Sequence, residues 1–229
     1  MVIMILLMPQ FNNQISGTSK ADDLDTDPKC NLSLVFYNQL NSPDLQYDVF
    51  EMALKGHRFF TENNKIKNDS ILTIVDFSKP SSEKRMYVIN LKSRALVLKT
   101  FVAHGRNTGM LMAEKFSNTP NAYQSSLGFY LTDMPYVGSN GYSLRLDGME
   151  EGINHNARAR AIVIHGADYV SESFLEQNGR LGRSHGCPAV SMQENKMLID
   201  LIKNKSCLFI YHPSSDYFAH SKIVGKTAV

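Results

Sequence analysis

The stretch "IVIHGADYVSESFLEQNGRLGRSHGCPAV", residues 162–190, decides how this chain is read. It opens as a β-like run that ends in His165-Gly166. A polar, glycine-rich segment comes next, then Ser184-His185-Gly186-Cys187-Pro188. A thiolate is a nucleophile, a thiol is not, and a free cysteine is mostly protonated at neutral pH. A histidine within reach can take that proton and form a thiolate–imidazolium pair, and His165 lies 22 residues upstream of Cys187. Arg180 and Arg183 would lower the thiol pKa further if the segment folds back. Gly186 permits a tight turn that aims backbone N–H groups at one point, the makings of an oxyanion hole. Pro188 stiffens the turn after the cysteine. The alternative is an inert buried cysteine beside a surface histidine. The Gly and Pro flanks weigh against a core setting, and on residue chemistry alone the two readings stand level.

Outward from this stretch the pattern is mainly β. "ILTIVDFS", "RMYVINL", "ALVLKTFVAHG", "LGFYLT", "YSLRLDG", "RAIVIHG" and "CLFIYH" are short runs rich in β-branched and aromatic residues. Turn signals such as "SKPSSEK" and "GSNG" separate several of them. Two helices are predicted. Ser42-Pro43 reads as N-cap and first helical position, and Leu45, Val49, Met52, Ala53, Phe59 and Phe60 come after it at helical spacing, which places a helix near 43–61. A late helix near 192–204 has an S-x-x-E cap in Ser191 and Glu194, with Met197, Leu198, Leu201 and Ile202 on its apolar face. The organisation expected is an N-terminal segment over 1–31, a helical cap over 32–66, a catalytic unit over 67–212 and a polar, peripheral tail over 213–229.

The composition sets limits. The chain has 229 residues, 43% hydrophobic and 20% charged, an ordinary globular balance. A net charge of +2 without long like-charge blocks does not suggest nucleic acid as a partner. Three cysteines, with no CxxC, point to one special thiol and not to a disulfide framework; Cys207, in a strand-like run, reads as core. The apolar run Val2–Met8 is too short to span a membrane, so no stable membrane insertion is expected. It reads either as the end of a truncated export signal or as a plain chain end.

"HGADYV" and, downstream of it, "SHGCPAV" resemble the L,D-transpeptidase catalytic domain, often called YkuD-like. The nearest branch is the murein L,D-transpeptidase catalytic domain family. The resemblance extends through "AHGRNTG", "SSLGFYLT", "YSLRLDGMEEGINHNARARAIVIHGADYV" and "GRLGRS", and covers residues 70 to 212. It implies a β-sandwich-like fold with helical caps, Cys187 as nucleophile and His165 as the histidine that activates it. Ser184, His185 and Gly186 match the rest of the motif and take the oxyanion and pocket positions. The eighteen residues between His165 and Ser184 exceed the spacing in the best-studied members. Pro188-Ala189 replaces the apolar residue and Asn or Arg that often come after the cysteine.

The implied substrate is a peptidoglycan tetrapeptide stem. Cys187 attacks the carbonyl of its third residue and expels the terminal D-amino acid, and the amine of a second stem resolves the thioester. Water in its place gives carboxypeptidase activity, and attack on a crosslink gives endopeptidase activity. A non-catalytic wall-binding module and a redox-sensing thiol are the rivals from other classes; the first needs no nucleophile, and the second lacks a nearby resolving cysteine. The substrate implies export to the periplasm or cell envelope, and a monomer without cofactor is expected. Substrate contacts are expected from Gly166, Arg180 and Arg183. Asp168 or a backbone carbonyl orients the His165 ring, and His104 is structural or faces the site. His57, His155, His212 and His220 read as surface or packing residues. No metal is expected, because His165, His185 and Cys187 lack a fourth ligand.

Overall fold

The computed structural model describes residues 28–225, so the Val2–Met8 run lies outside the described residues, as does the Cys30 side chain. Two helices come first, α1 (Pro28–Gln39) and α2 (Tyr47–Glu62). Eight strands come next, with three helices among and after them: β1 (Ile71–Asp76), β2 (Met86–Asn90), β3 (Ala95–Thr100), β4 (Gly128–Gly138), β5 (Gly141–Gly148), β6 (Val163–Gly166), α3 (Glu172–Asn178), β7 (Ala189–Val190), α4 (Met192–Ile202), β8 (Cys207–Tyr211) and α5 (Ser215–His220). The fold is mainly β, as the strand-rich pattern implied.

All eight strands belong to one sheet, in the order β3-β2-β1-β8-β4-β5-β6-β7. Its two ends come back together. Beyond β3, Ala103 pairs with Ala189 of β7, with N–H···O distances of 2.8 and 3.4 Å, and Gly105 bridges Ser184. The sheet is therefore nearly closed, and the motif around Cys187 lies along the seam. β1 and β8 are buried at every position. They pair in parallel from Leu72↔Cys207 to Asp76↔Tyr211 and read as continuous apolar runs because both of their faces are covered. Cys207 is a free thiol in this core, and burial pushes its pKa up. The β4–β5 hairpin turns through Ser139-Asn140, the middle of the "GSNG" signal.

The helices depart from expectation in detail. Ser42-Pro43 does not start α2; its N-cap is Gln46. Residues 42–45 form a turn instead, closed by Leu45 N–H to Ser42 O at 3.0 Å. Asp44 holds that turn to the sheet, accepting from Tyr87 Oη at 2.6 Å and pairing with Lys79 and Lys99 at 3.2 and 2.6 Å. α1 begins inside the segment expected to precede the helical cap, at Pro28. α2 packs on the sheet through Phe60, whose ring meets Phe129 edge-on, and through Gly56, where any Cβ would overlap the Phe129 ring. α4 is capped as predicted, Ser191 Oγ accepting from Glu194 N at 3.2 Å. Its buried face is Asn195, Leu198, Ile199 and Ile202, while Met197 is exposed.

The C-terminal segment is not peripheral. Tyr217, Ile223 and Val224 are buried in the main core. They are tied down by Glu150, a buried carboxylate that accepts from Phe129 N at 2.8 Å, from Tyr217 Oη at 3.1 Å and from Ser221 Oγ. Glu150→Ala strips three buried donors of their acceptor, a loss of about 2–4 kcal/mol. Denaturant unfolding is expected to show a lower midpoint at an unchanged slope; a midpoint equal to wild type would mean that Glu150 does not anchor the C-terminal segment.

Candidate active site

The loop that carries Cys187 is built from its backbone outward. Ser184 N–H donates to His104 O at 3.0 Å, and Ser184 O accepts from Arg106 N at 2.7 Å, which fixes the loop to the strand extension beyond β3. The Ser184 hydroxyl spans the turn: it donates to Cys187 O at 2.6 Å and accepts from Gly186 N at 3.0 Å. Ser184 is buried and its oxygen is fully engaged, so it shapes the loop. Gly186 sits at φ +121, and a Cβ there would stand 2.7 Å from Gln124 O; both conformation and space demand glycine. The Gly186 N–H is taken by Ser184, while the His185 and Cys187 N–H groups have no hydrogen-bond partner among the described residues.

Cys187 is partly exposed. Its thiol donates to Ala161 O at 3.7 Å, a long contact. Burial of the sulfur raises its pKa, offset in part by the Val163 N–H and the Arg160 charge. His165, in β6, is paired in register with Ala189 of β7. Its Nδ1 donates to Gly166 O at 2.9 Å, which leaves Nε2 as the open basic nitrogen. The backbone carbonyl, not Asp168, thus orients the ring, and Asp168 is exposed. Burial lowers the His165 pKa. Both shifts favour the uncharged forms, imidazole and thiol. His165 and Cys187 open onto one cavity of about 610 Å³, but no hydrogen bond joins them among the described residues.

Gly166, Asp168, Arg183, Ser184 and His185 line the same cavity. Arg183 is engaged by the neighbouring loop, donating from Nη1 to Arg106 O at 3.0 Å and Gly109 O at 3.3 Å. Arg180 is not among the lining residues, and its Nη1 donates to Leu181 O at 2.8 Å. His185 is exposed and packs against Tyr123, ring centroids 4.7 Å apart, with Arg106 on the Tyr123 ring at 4.0 Å. His104 is fully buried between Arg85 Nη2 at 2.8 Å and Gly109 O at 3.2 Å, and burial together with Arg85 lowers its pKa to about 4. It is a structural residue. Ala167, Tyr169, Met192 and the hairpin turn Ser139–Gly141 complete the cavity, and sequence reasoning assigns none of them to the site. Tyr169 stands four residues after His165, and that proximity is the one signal it offers. The hairpin turn arrives only through strand order.

The family model for the L,D-transpeptidase catalytic domain matches residues 41–211. The chain belongs to that family. Among solved structures, this L,D-transpeptidase catalytic domain is similar to an L,D-transpeptidase from Mycobacterium smegmatis (10% identity, TM-score 0.40, covering 62% of this chain and 59% of that one). It is also similar to an L,D-transpeptidase from Mycobacterium tuberculosis H37Rv (13% identity, TM-score 0.41, covering 62% and 58%). The chain spans about three fifths of the length of these two structures. No curated protein matches the sequence.

A neutral resting pair has a measurable signature. The alkylation rate of Cys187 in the free domain is expected to keep rising with pH beyond the ordinary cysteine value of about 8.5, because burial has raised the folded-state pKa. His165→Ala is expected to move that profile little. A plateau reached below pH 7, lost in His165→Ala, would instead establish a preformed thiolate–imidazolium pair.

Proposed function

We propose that the chain catalyses cysteine-dependent acyl transfer on peptidoglycan stem peptides, joining them as an L,D-transpeptidase. The observation that carries this reading is the meeting of Cys187, on a glycine-shaped loop, and His165, with an open Nε2, at one cavity in a domain of this family. In the first step Cys187 Sγ bonds to the carbonyl carbon of the donor stem's third residue. His165 Nε2 accepts the thiol proton and passes it to the departing amine of the terminal D-amino acid. The tetrahedral oxygen is held by the Cys187 N–H. In the second step the acceptor amine attacks the thioester, and the thiol is restored. A neutral imidazole facing a neutral thiol is the protonation state that the first transfer requires.

Gly166 and Arg183, which line the cavity, are the proposed substrate-facing residues. A peptidoglycan substrate places the working protein in the cell envelope. Hydrolysis through the same thioester differs only in the acceptor, water in place of amine, so the products separate the two.

Mass analysis of purified muropeptides after incubation with the domain is the test. Wild type is expected to yield crosslinked dimers, and Cys187→Ala none while remaining folded, because the covalent intermediate cannot form. His165→Ala is expected to slow acylation by about 10²-fold or more. Trimmed stems without dimers would assign the carboxypeptidase reaction, and full activity in Cys187→Ala would end the nucleophile reading.

A further inference from the structure

The turn that leads into β6 carries a half-buried cation beneath the nucleophile loop. Arg160 is held at three points by one loop. Its Nη1 donates to Ser117 O and Ser126 Oγ, both at 2.6 Å, and its Nη2 donates to Gln124 O at 2.6 Å. All three acceptors are neutral, and among the described residues no carboxylate pairs with Arg160. A cation removed from water is ordinarily paired with an anion, because desolvation penalises the isolated charge. This one is hydrogen-bonded and fixed, but its charge is left uncompensated.

Next to it is the nucleophile loop. Gln124 O, the acceptor of Arg160 Nη2, is the atom that a Cβ on Gly186 would strike, and Nη2 itself lies 3.4 Å from that same point. The guanidinium therefore borders Gly186, the residue before the nucleophile. The next residue, Ala161, takes φ +53, a left-handed conformation rare for a residue with a side chain, and its carbonyl receives the Cys187 thiol. The Ala161 carbonyl thus lies against the sulfur, with Arg160 beside Gly186 next to it.

We propose that Arg160 is a positioning residue for the reaction at Cys187: its fixed, uncompensated charge beside Gly186 stabilises the sulfur as an anion once its proton has moved to His165 Nε2. The inference rests on the reading of Cys187 as the nucleophile. The attraction is mutual, since the Arg160 charge works against the burial that raises the thiol and a Cys187 anion works against the burial that lowers the guanidinium. The other groups around the sulfur do not duplicate it. Tyr169 is pushed up to about 12 by burial and by the Cys187 anion, so it stays neutral. The Arg183 guanidinium is drawn off to the 106–110 loop, His185 leans on Tyr123, Asp168 is exposed, and His165 is neutral at rest. A preorganised cation at the point where charge develops needs no reorientation during the reaction.

The test is the pH profile of Cys187 alkylation by iodoacetamide in the whole domain, set beside its turnover of muropeptides. Arg160→Gln is expected to move the profile to higher pH and to cut the alkylation rate at pH 8 about tenfold, the change that one unit of thiol pKa makes below the midpoint. Turnover should fall with it. Ser126→Ala removes one anchor and keeps the charge, so its profile should coincide with wild type. An Arg160→Gln profile that superimposes on wild type in a folded protein would overturn the inference, since a loop staple alone has no reason to move it. Should Arg160→Gln not fold, Arg160→Met decides in its place: it keeps much of the stem's bulk without the charge, so its profile is expected at higher pH, and one that coincides with wild type overturns the inference equally. If Cys187→Ala still turns over, the nucleophile reading fails whatever Arg160 does to the thiol. If Cys187→Ala is inactive and the Arg160 profiles do not move, the failure is confined to Arg160.

Discussion

Two backbones pass each other at Gly105 and Gly186 with no room for a side chain between them. A Cβ on Gly105 would stand 2.9 Å from Gly186 Cα and 2.6 Å from Tyr123 O, and one on Gly186 would stand 2.7 Å from Gln124 O. Through this contact the chain beyond β3 reaches β7, so the sheet nearly closes on itself. The closure also lays the Cys187 loop against β6, where His165 sits. Fold and site therefore share one constraint, and a methyl group at either glycine would strain both together. Ser125 secures the crossing from the side: its hydroxyl donates to Gly186 O at 3.1 Å and accepts from Gly105 N at 3.0 Å.

Beneath the seam lies a fully buried arginine. Arg85 donates to Val102 O and to Lys79 O, and its Nη2 meets His104 Nδ1 at 2.8 Å. Burial lowers its pKa to about 9, the reverse of what a carboxylate partner would do. The chain of contact runs from Arg85 to His104, then from the His104 carbonyl to Ser184, and from the Ser184 hydroxyl to the Cys187 carbonyl. Polar networks of this kind hold a geometry only while each member is satisfied.

Much of this is legible in the sequence, and the rest is hidden for physical reasons. The Cys187 and His165 motif, the α4 cap at Ser191 and the core setting of Cys207 depend on neighbours within a few residues, or on a pattern carried whole by the family. Arg160 depends on acceptors 34 to 43 residues away, and nothing in "NARARAIV" separates it from Arg158, which pairs on the exposed side with Asp133 and Asp147 at 2.6 Å. Ser42-Pro43 carries the local signal of a helix start, yet α2 begins later, because Asp44 is bound to Tyr87 and two lysines that come further along the chain. The C-terminal segment reads as peripheral because its anchor is a single buried carboxylate, Glu150, and its polar composition reflects the hydroxyls that bind there.

The position of β8 sets an order of events during folding. Among the described strands it is the last in sequence, yet it fills the slot between β1 and β4, so the direct path across the sheet from β1 to β4 waits for it. Pairing Leu72 with Cys207 closes a loop of most of the chain, and loop closure must precede the contacts that reward it. Earlier hairpins such as β1–β2 and β4–β5 can form locally, but the inner edges of β1 and β4 have no partner strand until residues 207–211 are available. β8 is thereby the piece that joins two β-regions, β1–β3 and β4–β7, from the middle of the sheet, while the seam at Ala103 and Ala189 joins them from the other side.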